Sequence, residues 1–305
     1  MSTLADKRFV LVTGKGGVGK TTVCAAEAVA LAAKGKRVLV AMCNAKERLS
    51  GMLGSAPIGP DVVGIAERIW AVNMVPEKAL NEYGVLVLHS RALAKTLFQS
   101  RTVHAFLRAV PGMQEWSMLG KAWWHTTELL PDGGFKYDVV ILDAPATGHG
   151  LDMLRVPKVI IDVMPPGILR RDAERAWALF QSPATCAIVL VTVPEELPVT
   201  ETIELTQSLA ELGLPVSRVV VNGVLPPLFS RDERSALQRL PGAAAITTAG
   251  EAALFAGRER AEREAIQGES LRRLAESLSV APAFLPLLFE DAATPSAIRS
   301  LARRV

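Results

Sequence analysis

The sequence predicts an α/β protein with a doubly wound, mostly parallel sheet flanked by helices. Short runs of β-branched residues show little polar alternation, which is typical of strands buried on both faces of a parallel sheet. Stretches rich in alanine and leucine lie between them, and this alternation of strand and helix produces doubly wound sheets. The runs occupy residues 9–12, 38–41, 139–142, 187–193 and 219–221.

The first helix is predicted over residues 23–34, an alanine-rich run that ends at Lys34 and is followed by Gly35 and Lys36. Glycine and lysine both suit a helix C-terminus. A longer helical pattern covers residues 248–278, and its charged middle is typical of a solvated face. Since no low-complexity linker or fixed repeat interrupts the chain, we expect a single domain over residues 1–305.

Residues 76–134 interrupt the alternation with a mostly helical pattern that contains Trp116, Trp123 and Trp124. We interpret this segment as a helical subdomain inserted within the domain. Two interpretations of its role stay open. It forms a helical layer packed on the sheet, or it offers a surface that binds a client protein.

Composition excludes several classes of protein. A net charge of +3 gives no global positive field, so we expect no binding to nucleic acid. The cysteines, Cys24, Cys43 and Cys186, form no CxxC pair, which argues against a disulfide framework and a structural zinc site. The N-terminal apolar run is too short for a signal peptide, and no apolar stretch approaches the roughly 20 residues that cross a bilayer. We therefore expect a cytoplasmic protein without stable membrane insertion.

Residues 14–21 read GKGGVGKT and match the phosphate-binding pattern G-x-x-x-x-G-K-[ST], between a predicted strand and a predicted helix. Glycines let backbone N–H groups converge on phosphate oxygens, and the helix adds its positive N-terminal end. Lys20 is expected to reach the β- and γ-phosphates of ATP, and the Thr21 hydroxyl to bind Mg²⁺. The predicted nucleotide-binding residues of this loop are Gly14, Lys15, Gly16, Gly17, Val18, Gly19, Lys20, Thr21 and Thr22.

Lys15 is a second lysine in this loop, which the general pattern does not require. Its place resembles that of the signature lysine of the deviant Walker A ATPases. The resemblance implies that Lys15 reaches across a dimer interface to the partner's nucleotide and supplies charge in trans, much as an arginine finger does. It also implies an ATP-dependent homodimer, or a heterodimer with a paralogue. The alternative is a solvated loop lysine.

The predicted strand at residues 139–142 ends in Asp143, as a Walker B strand does when its carboxylate orders Mg²⁺ through water. Residues 143–150 read DAPATGHG, which resembles the DTAPTGH switch II element of the arsenical-pump and tail-anchored-protein-targeting ATPase family. The resemblance implies that the N–H of Gly148 contacts the γ-phosphate and reports hydrolysis by moving. For His149, a switch role and a purely structural role both stay open.

Residues 219–226 read VVVNGVLP and resemble the family's strand that ends in an adenine-reading asparagine. An amide offers both a donor and an acceptor to the edge of the base. Asn222 is therefore predicted to bind adenine, and Pro286 is expected in the family's loop on the other side of the base. The alternative is that Asn222 is an ordinary turn residue.

Switch I departs from the family. The family pattern there, S-T-D-P, contains an aspartate that orients the attacking water, whereas residues 41–46 read AMCNAK and the first carboxylate is Glu47. A thiol or an amide orients water more weakly, so we expect slow hydrolysis. Residues 157–186 hold a single methionine, Met164, where targeting members carry a methionine-rich insert. The client is therefore unknown.

Three functions stay open. The first is an ATP-driven dimeric switch that couples ATP binding and hydrolysis to a protein or small-molecule client. The second is a weakly hydrolysing regulatory subunit that pairs with a catalytic paralogue, which Cys43 and Asn44 favour. The third is a chromosome- or septum-positioning ATPase, supported only by an amphipathic pattern at residues 296–305 that also fits a final packing helix.

Overall fold

The computed structural model describes residues 3–88, 113–214, 216–240, 248–289 and 293–305. Its strands span Phe9–Thr13 (β1), Val38–Cys43 (β2), Val63–Ala66 (β3), Ile69–Met74 (β4), Val139–Asp143 (β5), Cys186–Thr192 (β6), Val216–Val224 (β7) and Ala283–Pro286 (β8). They form one eight-stranded sheet in the order β3-β4-β2-β5-β1-β6-β7-β8. All neighbouring strands run parallel except β3 and β4. The predicted α/β fold class is therefore confirmed.

Helices cover both faces of the sheet. The described helices span Lys20–Ala33 (α1), Leu49–Leu53 (α2), Pro76–Leu88 (α3), Met113–His125 (α4), Thr147–Val163 (α5), Ile168–Gln181 (α6), Glu196–Glu211 (α7), Arg231–Gln238 (α8), Ala249–Ser277 (α9) and Pro295–Ala302 (α10). Side chains from α4, α5, α6 and α7 fill the core on one face. Side chains from α1, α2 and α10 fill the core on the other.

Burial explains why the central strands could be predicted. Every residue of β1, β2, β5 and β6 is buried. Covered on both faces, such strands need no polar alternation, and each fully buried aliphatic side chain contributes about 1.5–3 kcal/mol. The outer strands β3, β4 and β8 were not predicted, because they are short or lack a β-branched run.

The segment at residues 76–134 contains α3 and α4, and its residues 89–112 lie outside the described part of the chain. Trp116 of α4 is only 1% exposed and belongs to the same core as Met74 of β4. Trp123 packs against this core as well. The described part of the segment thus packs on the sheet, as the helical-layer interpretation predicts.

The final helix, α10, is a packing helix. Ile298 and Leu301 are buried in the same core as Ala25 and Ala28 of α1, while Arg299 faces solvent. The apolar face that suggested membrane binding is therefore covered by the protein itself. Among the residues described here, no helix is both long and apolar enough to span a membrane.

Candidate nucleotide-binding site

The candidate site lies at the carboxyl edge of the sheet, which carries the loops that follow the parallel strands. Strand β1 sits between β5 and β6, and residues 14–19 connect it to α1. Asp143 ends β5, and Asn222 lies near the end of β7. The topology therefore brings residues that are far apart in sequence to one edge.

Two glycines let the loop approach its neighbours closely. Gly14 has a φ of 149°, and a Cβ added there would lie 2.1 Å from the carbonyl oxygen of Val191 in β6. Gly19 has a φ of 91°, and its Cβ would lie 2.2 Å from Nδ2 of Asn222. Any larger side chain would have to displace β6 backbone or the Asn222 amide, so both positions require glycine.

Lys20 closes the loop from the first turn of α1. Its Nζ donates to the carbonyl oxygens of Gly14 at 3.0 Å and Lys15 at 3.1 Å. Burial lowers the pKa of Lys20, and the nearby Asp143 carboxylate opposes that shift. No side chain of the described residues caps the N-terminus of α1 at Gly19, so the first N–H groups of the helix stay available to an anion.

Thr21 and Asp143 bring two oxygen ligands together beside the loop. The Thr21 hydroxyl donates to Oδ2 of Asp143 at 2.6 Å, and Asp143 is only 5% exposed. Burial raises the pKa of the Asp143 carboxyl, while the Thr21 hydrogen bond and the Lys20 charge oppose the rise. A hydroxyl paired with a carboxylate offers the hard oxygen ligands that Mg²⁺ prefers, so the residues present fit this ion.

Asn222 contacts the loop directly. Its Nδ2 donates to the carbonyl oxygen of Val18 at 3.0 Å, which leaves Oδ1 as an acceptor at the same end of the side chain. Pro286 ends the neighbouring strand β8, where it pairs with Val224, two residues beyond Asn222. The amide of Leu287 donates to the Val224 carbonyl at 2.8 Å and fixes the segment that follows Pro286.

The Lys15 side chain forms an ion pair within its own subunit. Its Nζ forms an ion pair with Oε1 of Glu201 on α7, and both side chains are about one-third exposed. No local pattern around Glu201 predicts this contact, since Glu201 lies 186 residues from Lys15 in the chain.

Switch II begins where β5 ends. Helix α5 starts at Thr147, so Gly148 lies in its first turn, while the side chains of residues 147–149, including His149, lie outside the described part of the structure. A Cβ on Gly150 would lie 2.7 Å from Oγ1 of Thr13, which is buried and has no hydrogen-bond partner among the described residues. Thr13 thus marks a contact between β1 and α5 that the sequence analysis missed.

Cys43 is the last residue of β2 and lies in the core. Cys43 is only 8% exposed. Burial is the main cause that raises the pKa of its thiol, and the negative charges of Asp143 and Glu115 raise it further. The Asn73 side chain donates to the Ala45 carbonyl and accepts from the Ala45 amide, which fixes the segment after β2 to β4.

Glu47, the first carboxylate after Cys43, is engaged elsewhere. Its Oε1 accepts from the backbone N–H of Ser50 at 2.8 Å, and its Oε2 accepts from the Ser50 hydroxyl at 2.5 Å. Glu47 therefore stabilises the first turn of α2 in this structure.

Comparisons with known proteins identify related ATPases. The sequence pattern of the family described as Anion-transporting ATPase matches residues 7–167 and 169–239. The chain is 33% identical over 230 residues to ATPase BagA of Mycobacterium tuberculosis, covering 74% of this chain and 67% of that protein.

Two further relatives are more distant. An arsenical pump-driving ATPase of Escherichia coli is 28% identical over 236 residues, which cover 72% of this chain and 40% of that protein. ATPase GET3 of Kluyveromyces lactis is 25% identical over 259 residues, which cover 73% of this chain and 74% of that protein. The match over most of its length shows that the chain belongs to the anion-transporting ATPase family.

Proposed function

We propose that the chain is a single-domain ATPase over residues 1–305 that binds ATP with Mg²⁺ and uses the nucleotide to control dimerisation. The observation that carries this proposal is the 2.6 Å contact between Thr21 and Asp143, beside a loop closed by Lys20. It joins the phosphate-binding loop to the strand-end carboxylate, which is the arrangement that Mg²⁺ and a triphosphate require.

Lys20 is proposed to exchange its contacts with the Gly14 and Lys15 carbonyls for the β- and γ-phosphates. The N–H groups of residues 14–22 would cradle the phosphate oxygens at the positive end of α1. Thr21 would ligate Mg²⁺ directly, and Asp143 would hold it through water. Bound there, the ion neutralises charge on the phosphates.

Asn222 is proposed to read the adenine base with its free acceptor and second N–H, while Pro286 lies against the base from β8. The support is the contact between Asn222 and Val18, which fixes the amide at the loop. Gly148 is proposed to contact the γ-phosphate through its N–H, because it follows Asp143 at the start of α5.

Lys15 is proposed to act in trans on the nucleotide of a second subunit, in a homodimer or a heterodimer with a paralogue. The resemblance of its place to the signature lysine supports this role. Hydrolysis in such a dimer would then drive a conformational change that is transmitted to a client.

Isothermal titration calorimetry with Mg-ATP tests the binding proposal. We expect Lys20→Ala to weaken ATP binding at least about a hundredfold, because it removes the main charge on the β- and γ-phosphates. Lys34→Ala is the matched control, since Lys34 is exposed at the far end of the same helix. Equal ATP affinity in wild type and Lys20→Ala would contradict the proposed site.

A second candidate function is a weakly hydrolysing regulatory subunit. It is favoured by the position of Cys43, buried beside Asp143, together with the engagement of Glu47 by Ser50. Neither residue offers a free carboxylate to orient water. A paralogue with a switch I aspartate would then supply most of the turnover in a heterodimer.

A further inference from the structure

The ion pair between Lys15 and Glu201 joins the phosphate-binding loop to helix α7 within one chain. Glu201 lies in the second turn of this helix, whose neighbouring residues Val199 and Thr202 are buried against the sheet. Thr200 accepts a hydrogen bond from Arg273 of α9 at 3.1 Å. Glu201 is therefore presented by a firmly packed element, whereas Lys15 extends from a loop.

This contact competes with any role of Lys15 in a second subunit. The lysine head group is a compact charge on a flexible stem and occupies one place at a time. While it contacts Glu201, it cannot reach phosphates bound by a partner. We propose that Glu201 is a positioning residue that holds Lys15 on its own subunit and so restrains dimerisation. The inference rests on the proposed function of Lys15 in trans.

The loop also supplies a route by which ATP weakens this restraint. The Lys15 carbonyl accepts a hydrogen bond from Lys20 at 3.1 Å. When Lys20 turns to the phosphates, that carbonyl loses its anchor, and the backbone at Lys15 becomes freer to move. Nucleotide binding would thus favour the exchange of Glu201 for the partner's nucleotide.

The expected size of the restraint follows from its exposure. Partly exposed ion pairs contribute only a small free energy each, and one dimer must break two of them. Removing the Glu201 charge should therefore lower the dissociation constant of the Mg-ATP dimer by about threefold to twentyfold. Added salt should shrink this difference, because salt screens the ion pair.

Sedimentation velocity with Mg-ATP measures the effect in the full chain. We compare wild type with Glu201→Gln, which keeps the size of the side chain and removes its charge. Glu204→Gln is the matched control, because it removes the same charge from an exposed position of the same helix. Thermal unfolding of each variant shows whether it is folded. We expect tighter association for Glu201→Gln alone.

A second comparison shows whether Glu201 acts through Lys15. In a Lys15→Ala background, Glu201→Gln should change association no further. If Lys15→Ala weakens the dimer while Glu201→Gln leaves it as in wild type, the restraint is wrong and the trans role survives. If Lys15→Ala leaves association unchanged, or if neither wild type nor Glu201→Gln forms dimers with Mg-ATP, Lys15 does not act in trans in a homodimer and the proposed restraint fails with it.

Discussion

The Thr21 hydroxyl donates a hydrogen bond of 2.6 Å to Oδ2 of Asp143 and thereby connects the first turn of α1 with the end of β5. Each residue alone would be ordinary, Thr21 in the first turn of a helix and Asp143 at the end of a strand. Together with Lys20 they place a hydroxyl, a carboxylate and an ammonium group at one point of the sheet edge.

Asp143→Asn should stabilise the nucleotide-free chain at neutral pH while weakening its response to Mg²⁺. Burial raises the pKa of this carboxyl in the folded state, so the folded chain binds the proton more tightly than the unfolded chain. Stability therefore falls as pH rises from the unfolded pKa through the folded pKa, and the ionised group is unfavourable at pH 7. Asparagine removes that cost.

Thermal unfolding at several pH values measures this effect. The advantage of Asp143→Asn should shrink as the pH falls and Asp143 itself becomes protonated. In parallel, the affinity of the ATP-bound chain for Mg²⁺ should fall by about 10- to 100-fold. A variant that is less stable than wild type at pH 7 would show that the Thr21 and Lys20 interactions outweigh the cost of burial.

Asn222→Ala should reduce selectivity for adenine. The amide can pair with both N6 and N1 of adenine, whereas guanine presents the reverse pattern of donors and acceptors. ATP affinity is expected to fall about tenfold and GTP affinity less. Competition titrations of ATP against GTP measure the ratio, and equal binding of both nucleotides by wild type would refute the assignment.

Cys43→Asp should increase ATP turnover about tenfold or more, because a carboxylate orients the attacking water better than a thiol. The gain should require Mg²⁺, since the new carboxylate would face the charges of Asp143 and Glu115 that already act on Cys43. Cys43→Ser is the matched control and should stay slow. Wild-type turnover on the order of 1 s⁻¹ or faster would instead mean that another group orients the water.

Local patterns predicted the central elements well. The β-branched runs identified five of the strands, and the pattern at residues 248–278 corresponds to α9, Ala249–Ser277. There the Thr248 side chain caps the helix by accepting from the Glu251 amide. The start of α1 at Lys20 was predicted three residues too late, because the phosphate-binding loop runs directly into the helix.

Contacts between distant residues were harder to predict. The approach of Asn222 to the loop was expected only from the family resemblance, because strand order is not encoded in the local pattern around it. The pairing of Lys15 with Glu201 was missed for the same reason, since an acidic residue on a helix usually faces solvent. Close approaches such as Thr13 to Gly150 depend on packing in three dimensions.

The most direct test of the nucleotide-controlled dimer is sedimentation of the purified chain with saturating Mg-ATP, compared with Lys15→Ala under the same conditions. We expect wild type to form ATP-dependent dimers. Lys15→Ala should lose most of them, while ATP binding by the monomer, which depends chiefly on Lys20, weakens far less. Wild type that binds ATP and stays monomeric at high protein concentration would contradict the homodimer, and would leave a heterodimer with an aspartate-bearing paralogue.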